Sequence, residues 1–292
     1  MDGFLVGNIA VTEAIETAFS MPVATLLPKA TQEEAAEYRQ RLGPRFFDAA
    51  GDGLLTIRTY MLKTRHHTIL VDTCFGNHKT RTRFVRGHMR SDSFLARLKS
   101  AGVLPHEVDF VFCTHMHLDH VGWNTYLDNG RWVPTFPKAK YLFPRADWEH
   151  FEALAPNDSG ADCIEDSVRP VVEAGLSAMV DPGYALADVG EIIDLSGHTP
   201  GHAGLLISSA GRRAVFTGDL FHHAVQICNT NGGMRGDTDP AQSVRTRTAF
   251  VERYADSGVL LLAAHFPMFA GGYIAQKGGE FGFAASDGLG VT

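Results

Sequence analysis

The run Cys113-Thr114-His115-Met116-His117-Leu118-Asp119-His120 packs four metal-ligand side chains into six positions. It ends Val108–Cys113, a short apolar segment with the make-up of a buried strand. Three imidazoles and a carboxylate at such a place cannot be left bare, because a buried polar group without a partner is costly. A divalent cation satisfies all four at once, so a chain built around this run is expected to fold around metal.

The same arrangement, a strand and then a ligand at its tip, recurs further on. Ser196-Gly197-His198-Thr199-Pro200-Gly201-His202 follows a predicted strand at Glu191–Leu195 and puts His198 in the turn, with His202 as the competing ligand. Ala214–Thr217 leads to Asp219, and Val259–Ala264 leads to His265. Functional groups concentrate on loops held by a rigid sheet edge. Neutral imidazoles with a few carboxylates suit Zn²⁺, and also Fe, Co or Mn. Of the 14 histidines, His66, His67, His78, His88, His106 and His150 are expected at the surface, and Cys113 in the core.

Strands are further predicted at Gly53–Lys63, Thr68–Asp72, Lys140–Phe143 and Gly204–Ser208. Thr31-Gln32-Glu33-Glu34 is a capping box that opens a helix to Leu42. Asp239 as N-cap and Pro240 at N1 open another, with an apolar or small stripe at Ala241, Val244, Thr248, Val251 and Ala255 and an end at Gly258. Segments 91–101 and 145–154 also read as helical. The basic run Lys79–Arg86 reads as a solvated loop or a flap, and the glycine-rich tail as turns and a hairpin. Strands in runs separated by helices predict two packed sheets with helices outside, as one α/β domain over 1–292. The segments 1–50 and 266–292 are expected to shape a pocket or a homodimer interface.

A net charge of -7 argues against nucleic-acid grooves and anionic lipid surfaces as partners. No apolar run approaches the roughly 18 residues that a membrane helix needs. The N-terminus lacks a basic start before an apolar stretch, and the four cysteines form no C-x-x-C pair, so a cytoplasmic protein with reduced thiols is expected.

The motifs Leu70-Val71-Asp72-Thr73, Thr114–His120, the His198 turn, Phe216-Thr217-Gly218-Asp219 and His265 resemble the metallo-β-lactamase superfamily from about Leu54 to His265. That resemblance implies a four-layer αβ/βα sandwich with a dinuclear metal site at one edge. It implies that His115, His117 and His198 hold one ion, that Asp119, His120 and His265 hold the other, and that Asp219 bridges them. Asp72 would orient a ligand histidine through its outer nitrogen. Two ions about 3.5–4 Å apart can share a hydroxide and polarise the substrate oxygen, so hydrolysis needs no Ser or Cys nucleophile.

Within the superfamily the layout looks most like the quorum-quenching lactonases and the methyl-parathion-hydrolase-like enzymes. The expected substrate is a small hydrophobic lactone or ester, with attack on its carbonyl and with Asp119 and His222 as catalytic residues. Lactonases of this kind commonly carry a tyrosine three positions after the bridging Asp, where this chain has His222. An organophosphate triester or activated aryl compound is the alternative substrate, and a non-catalytic metal-binding protein the remote one. Trp123, His223, Phe266 and Phe269 are the substrate-pocket candidates, drawn from a wider aromatic set that includes Phe46, Phe47, Met268, Phe281 and Phe283.

Overall fold

Parallel strand pairs carry the chain to its acidic and imidazole turns. In the computed structural model, which describes residues 3–155, 158, 160–234, 236–267 and 271–286, two seven-stranded sheets form, and in each a parallel pair leads to such turns. The chain divides into two units: residues up to Glu16 with Ile57–Tyr184, and Thr17–Thr56 with the chain from Ala185 onward.

The sheet of the first unit runs in the order Phe4–Val6, Ile9–Met21, Gly53–Lys63, Thr68–Val71, Phe110–Phe112, Lys140–Pro144 and Ser177–Val180. Thr68–Val71 and Phe110–Phe112 are parallel and in register, Val71 opposite Phe112. Both are apolar runs buried on both faces, as a central parallel strand must be. Their shared direction brings Asp72 and Thr114 side by side, and Thr114 N donates to Asp72 Oδ1 at 2.7 Å.

The sheet of the second unit runs in the order Ala185–Leu186, Gly190–Asp194, Ala203–Ser209, Arg212–Phe216, Leu260–Leu262, Gly272–Lys277 and Glu280–Ala285. Here Arg212–Phe216 and Leu260–Leu262 are the parallel pair, Phe216 opposite Leu262. They lead to Asp219 and His265. The core of this unit gathers Leu26, Phe46, Phe221, Val225, Val251 and Phe266. The expected tail hairpin is Gly272–Lys277 with Glu280–Ala285. The capping box is present, with Thr31 and Glu34 each closing the other's backbone N–H, and its helix spans Gln32–Leu42.

Two expectations fail. The Pro240–Tyr254 helix stops four residues before Gly258 and buries Ser243, Arg247, Phe250, Val251 and Tyr254, a face that shares only Val251 with the predicted stripe. The reason is Arg247, whose fully buried guanidinium donates to the carbonyls of Leu220, Thr230 and Gly232. A charge with three acceptors is at home in a core position that a polarity pattern assigns to solvent. The basic run 79–86 is not wholly solvated either. Lys79 and Arg81 alternate inward and are buried: Arg81 grips both oxygens of Asp166 at 2.6 and 2.7 Å, and Lys79 Nζ lies 3.8 Å from the centre of the Trp132 ring. Among the described residues, no helix is long and apolar enough to cross a membrane.

Candidate functional site

In the first unit the turn after Phe110–Phe112 gathers three imidazoles. The His115 and His120 ring centroids are 4.0 Å apart, and His115 Nε2 is 3.0 Å from His117 Nδ1. Asp119 Oδ2 is 3.8 Å from His120 Nε2. Behind them, Asp72 Oδ2 lies 2.9 Å from His120 Nδ1, and Thr114 Oγ1 continues from Asp72 to His115 Nδ1 at 3.1 Å. A carboxylate oxygen only accepts, so His120 carries its proton on Nδ1 and turns Nε2 the other way.

In the second unit three histidines converge on Asp219. His265 Nε2 is 2.9 Å from Oδ1, while His222 Nε2 and His198 Nε2 are 3.0 and 3.3 Å from Oδ2. All four residues are buried. The His198 turn needs Gly197, which sits at φ +135° and whose added Cβ would come within 2.4 Å of Ser243 N. Asp237 Oδ1 lies 2.7 Å from His198 Nδ1, and His265 Nδ1 donates to the Thr56 carbonyl at 2.9 Å.

The hydrogen-bond partners separate ligand histidines from supporting ones. His202, the competing ligand of its turn, spends both ring nitrogens on backbone: Nδ1 donates to Leu195 O and Nε2 accepts from Asp219 N. It fixes Asp219 and has no lone pair left for a cation. His223 does the same with Phe46 O and Val225 N. His222 differs from both, since Nε2 faces Asp219 and the buried Nδ1 has no hydrogen-bond partner.

The charges favour a cation. Burial disfavours a charged His198, yet the adjoining Asp219 and Asp237 more than offset this and hold its pKa at about 9. Asp237 would be raised by burial but is kept below its ordinary range by His198. His222 is lowered by burial, which outweighs Asp219. A proton on His198 thus does in part what a metal ion would do.

The donor set fits a metal. With metal–ligand bonds of about 2.0–2.1 Å, neighbouring ligand atoms of a tetrahedral site lie roughly 3.3 Å apart. The separations of 2.9 to 3.3 Å around Asp219, and of 3.0 Å between His115 and His117, are of that size. Asp219, His222 and His265 form one group able to hold an ion within the second unit alone.

Of the pocket candidates, Trp123 is buried with its indole N–H on Glu16 and its ring stacked on Phe94. Phe266 packs edge-on to Phe46 and Phe283, and His223 packs against Phe46 and Phe47. Phe269 and Met268 lie outside the described residues. The sequence reading missed Asp237 and the structural task of His202. Asp237 stands in an irregular loop with no periodic signal around it, so no sequence pattern would have pointed to it.

Mixed sheets flanked by helices, with His and Asp at the strand tips, define an α/β protein of metal-binding type. The chain belongs to the metallo-β-lactamase superfamily, whose model matches residues 52–257 and ends short of His265. It is 30% identical over 125 residues to the N-acyl homoserine lactonase AttM of Azorhizobium caulinodans, covering 41% of this chain and 43% of that one. It is 25% identical over 167 residues to an N-acyl homoserine lactonase of a Bacillus species, covering 53% and 59%. The chain thus spans about half the length of the curated relatives it matches. Among solved structures it is similar to a hydrolase of the beta lactamase superfamily, AbOPH (TM-score 0.81, 22% identity, 98% of this chain and 97% of that one). It is also similar to AidC, a dizinc quorum-quenching lactonase (TM-score 0.78, 20% identity, 98% and 97%). At these identities the likeness shows the fold, which is the α/β class expected from the sequence.

Proposed function

We propose that this protein is a dinuclear-metal-dependent hydrolase of small hydrophobic lactones or esters. In this reading His115, His117 and His198 hold one divalent cation, Asp119, His120 and His265 the other, and Asp219 both, with zinc the first choice. Bound there, the two ions would supply an activated water and a Lewis acid for the substrate oxygen.

The observation that carries the reading is the pairing of inner and outer groups. His120, His198 and His265 each turn Nε2 away from an acceptor on Nδ1, namely Asp72, Asp237 and the Thr56 carbonyl. Ligand histidines are oriented in this way, and structural ones have no need to be. Family membership and the lactonase relatives support the chemistry. The backbone N–H of Asp219 donates to His202 Nε2 at 3.0 Å, which fixes the main chain that carries the carboxylate.

His222 supports a second reading for the substrate. It stands where lactonases commonly carry a tyrosine, with Nε2 on Asp219 and with burial lowering its pKa. An imidazole in place of a phenol favours a change of electrophile, to an organophosphate triester or an activated aryl compound. Metal analysis and turnover on one sample test both readings. About two metals per chain and chelator-sensitive hydrolysis are expected, with the preferred substrate among a homoserine lactone, an aryl ester and a phosphotriester deciding between them. Active protein with one metal or none would overturn the ligand assignment.

A further inference from the structure

Glu16 is a buried carboxyl group with no task in the reading above. It lies on the strand Ile9–Met21, and its side chain has 0% exposure. Oε1 accepts from Trp123 Nε1 at 2.7 Å, and Oε2 accepts from Phe75 N at 3.0 Å. The two donors belong to the two loops that make the Asp72–His120 hydrogen bond. Phe75 stands three residues after Asp72, and Trp123 three residues after His120.

Backbone hydrogen bonds zip the same loops together. Thr73 N donates to His120 O at 2.7 Å, Gly122 N to Cys74 O at 2.7 Å, and Trp123 N to Thr73 O at 2.8 Å. The approach is so close that a Cβ on Gly122 would fall 1.9 Å from the Phe75 carbonyl. Trp123 is held on its other side by Phe94, stacked at 5.3 Å. Movement of Glu16 therefore passes to the loop of Asp72 and to the turn of His120 together.

We propose that Glu16 is a positioning residue for the metal centre, its carboxylate bridging the Asp72 loop and the His120 turn so that the His120 ring keeps its orientation. The inference rests on His120 being a ligand, as read above. Both hydrogen-bond partners of Glu16 are N–H donors, and an ionised carboxylate, which Arg90 Nε approaches at 3.8 Å, serves both with no donor of its own in competition. A carboxylic acid, like a glutamine, offers a donor of its own to one of them.

The bridge is accordingly sensitive to pH. Burial favours the neutral acid and lifts the Glu16 pKa to about 7, against the opposing pull of the Phe75 and Trp123 hydrogen bonds and of Arg90. Asp92 adds to the rise. The other charged neighbour, Arg97, donates to the Glu16 main-chain carbonyl and pairs with Asp92. The buried Cys74 thiol beside them is pushed well above its ordinary value and stays neutral. Below about pH 7 one of the two side-chain hydrogen bonds opens.

The test reads the bridge first without metal. In chelator-treated protein labelled with ¹⁵N-indole tryptophan, the Trp123 Nε1–H resonance, assigned through Trp123→Phe, is expected to titrate with a midpoint near pH 7. In Glu16→Gln it is expected not to titrate. Zinc affinity is then measured at pH 8 by competition with a chromophoric chelator. Glu16→Gln is expected to weaken one of two sites roughly tenfold and to spare the other, in keeping with the cost of losing groups that orient ligands. An indole resonance that ignores pH in the unsubstituted protein overturns the bridge. A titrating resonance with unchanged zinc affinity in Glu16→Gln overturns the positioning role. A titrating resonance in unsubstituted protein that binds no zinc overturns the hydrolase reading and the positioning role with it, while the bridge stands.

Discussion

Asp237 Oδ1 lies 2.7 Å from His198 Nδ1, the same relationship that Asp72 Oδ2 has to His120 Nδ1 at 2.9 Å. Each unit thus holds an imidazole whose outer nitrogen is tied to a buried carboxylate, an arrangement that fixes the ring and leaves the inner nitrogen for a cation once its proton is displaced.

Asp237→Asn removes the charge from that tie and keeps its size. Metal affinity is expected to fall about 10- to 100-fold, measured by chelator competition, with the fold intact by circular dichroism. Unchanged affinity would make Asp237 a packing residue.

Asp219→Asn acts on the proposed shared carboxylate. His198, His222 and His265 all face its two oxygens, at 3.3, 3.0 and 2.9 Å. An amide supplies one acceptor and no charge, so metal content per chain and kcat/KM are expected to fall together, the latter more than about 100-fold. Full metal content with full turnover would contradict a bridging role.

His222 lacks the outer partner that His120, His198 and His265 have. A ligand role predicts loss of metal in His222→Phe. A hydrogen-bonding role predicts full metal content with kcat lowered about 100-fold. We expect the second outcome, read from elemental analysis and initial rates on the same preparation.

How much of this was legible beforehand follows from which interactions leave a local pattern. The turn at 115–120, Asp219 and His265 each end an apolar strand, and a strand ending on a polar residue can be seen in the sequence alone. Asp72 was legible for the same reason, as the close of Thr68–Val71. Arg247 was not, because its three carbonyl acceptors come from segments 15 to 27 residues away. Glu16 was hidden by its own strand, where Glu13 and Glu16 interrupt the apolar alternation. Glu13 pairs with Arg58 at 2.7 Å, and Glu16 with donors more than 50 residues distant. Buried charges are partnered across the fold, so their partners are known only once the chain is closed.

The last prediction concerns acid stability. His223 is buried, with Nε2 donating to Phe46 O and Nδ1 accepting from Val225 N, and burial pushes its pKa down to about 4. The folded form therefore stays neutral where the unfolded chain, titrating near 6.5, takes up a proton. Above about pH 6.5 both are neutral and the group has no effect on stability. As the pH falls from 6.5 towards 4 the unfolded state is favoured, by roughly 3 kcal/mol once the lower limit is reached. His223→Gln keeps a donor for Phe46 O and cannot ionise. Urea unfolding of metal-free protein at pH 7 and pH 4.5 should show a smaller acid loss in the variant than in the unsubstituted chain. Equal losses in both would mean that His223 takes up its proton without unfolding, and that burial does not hold it neutral.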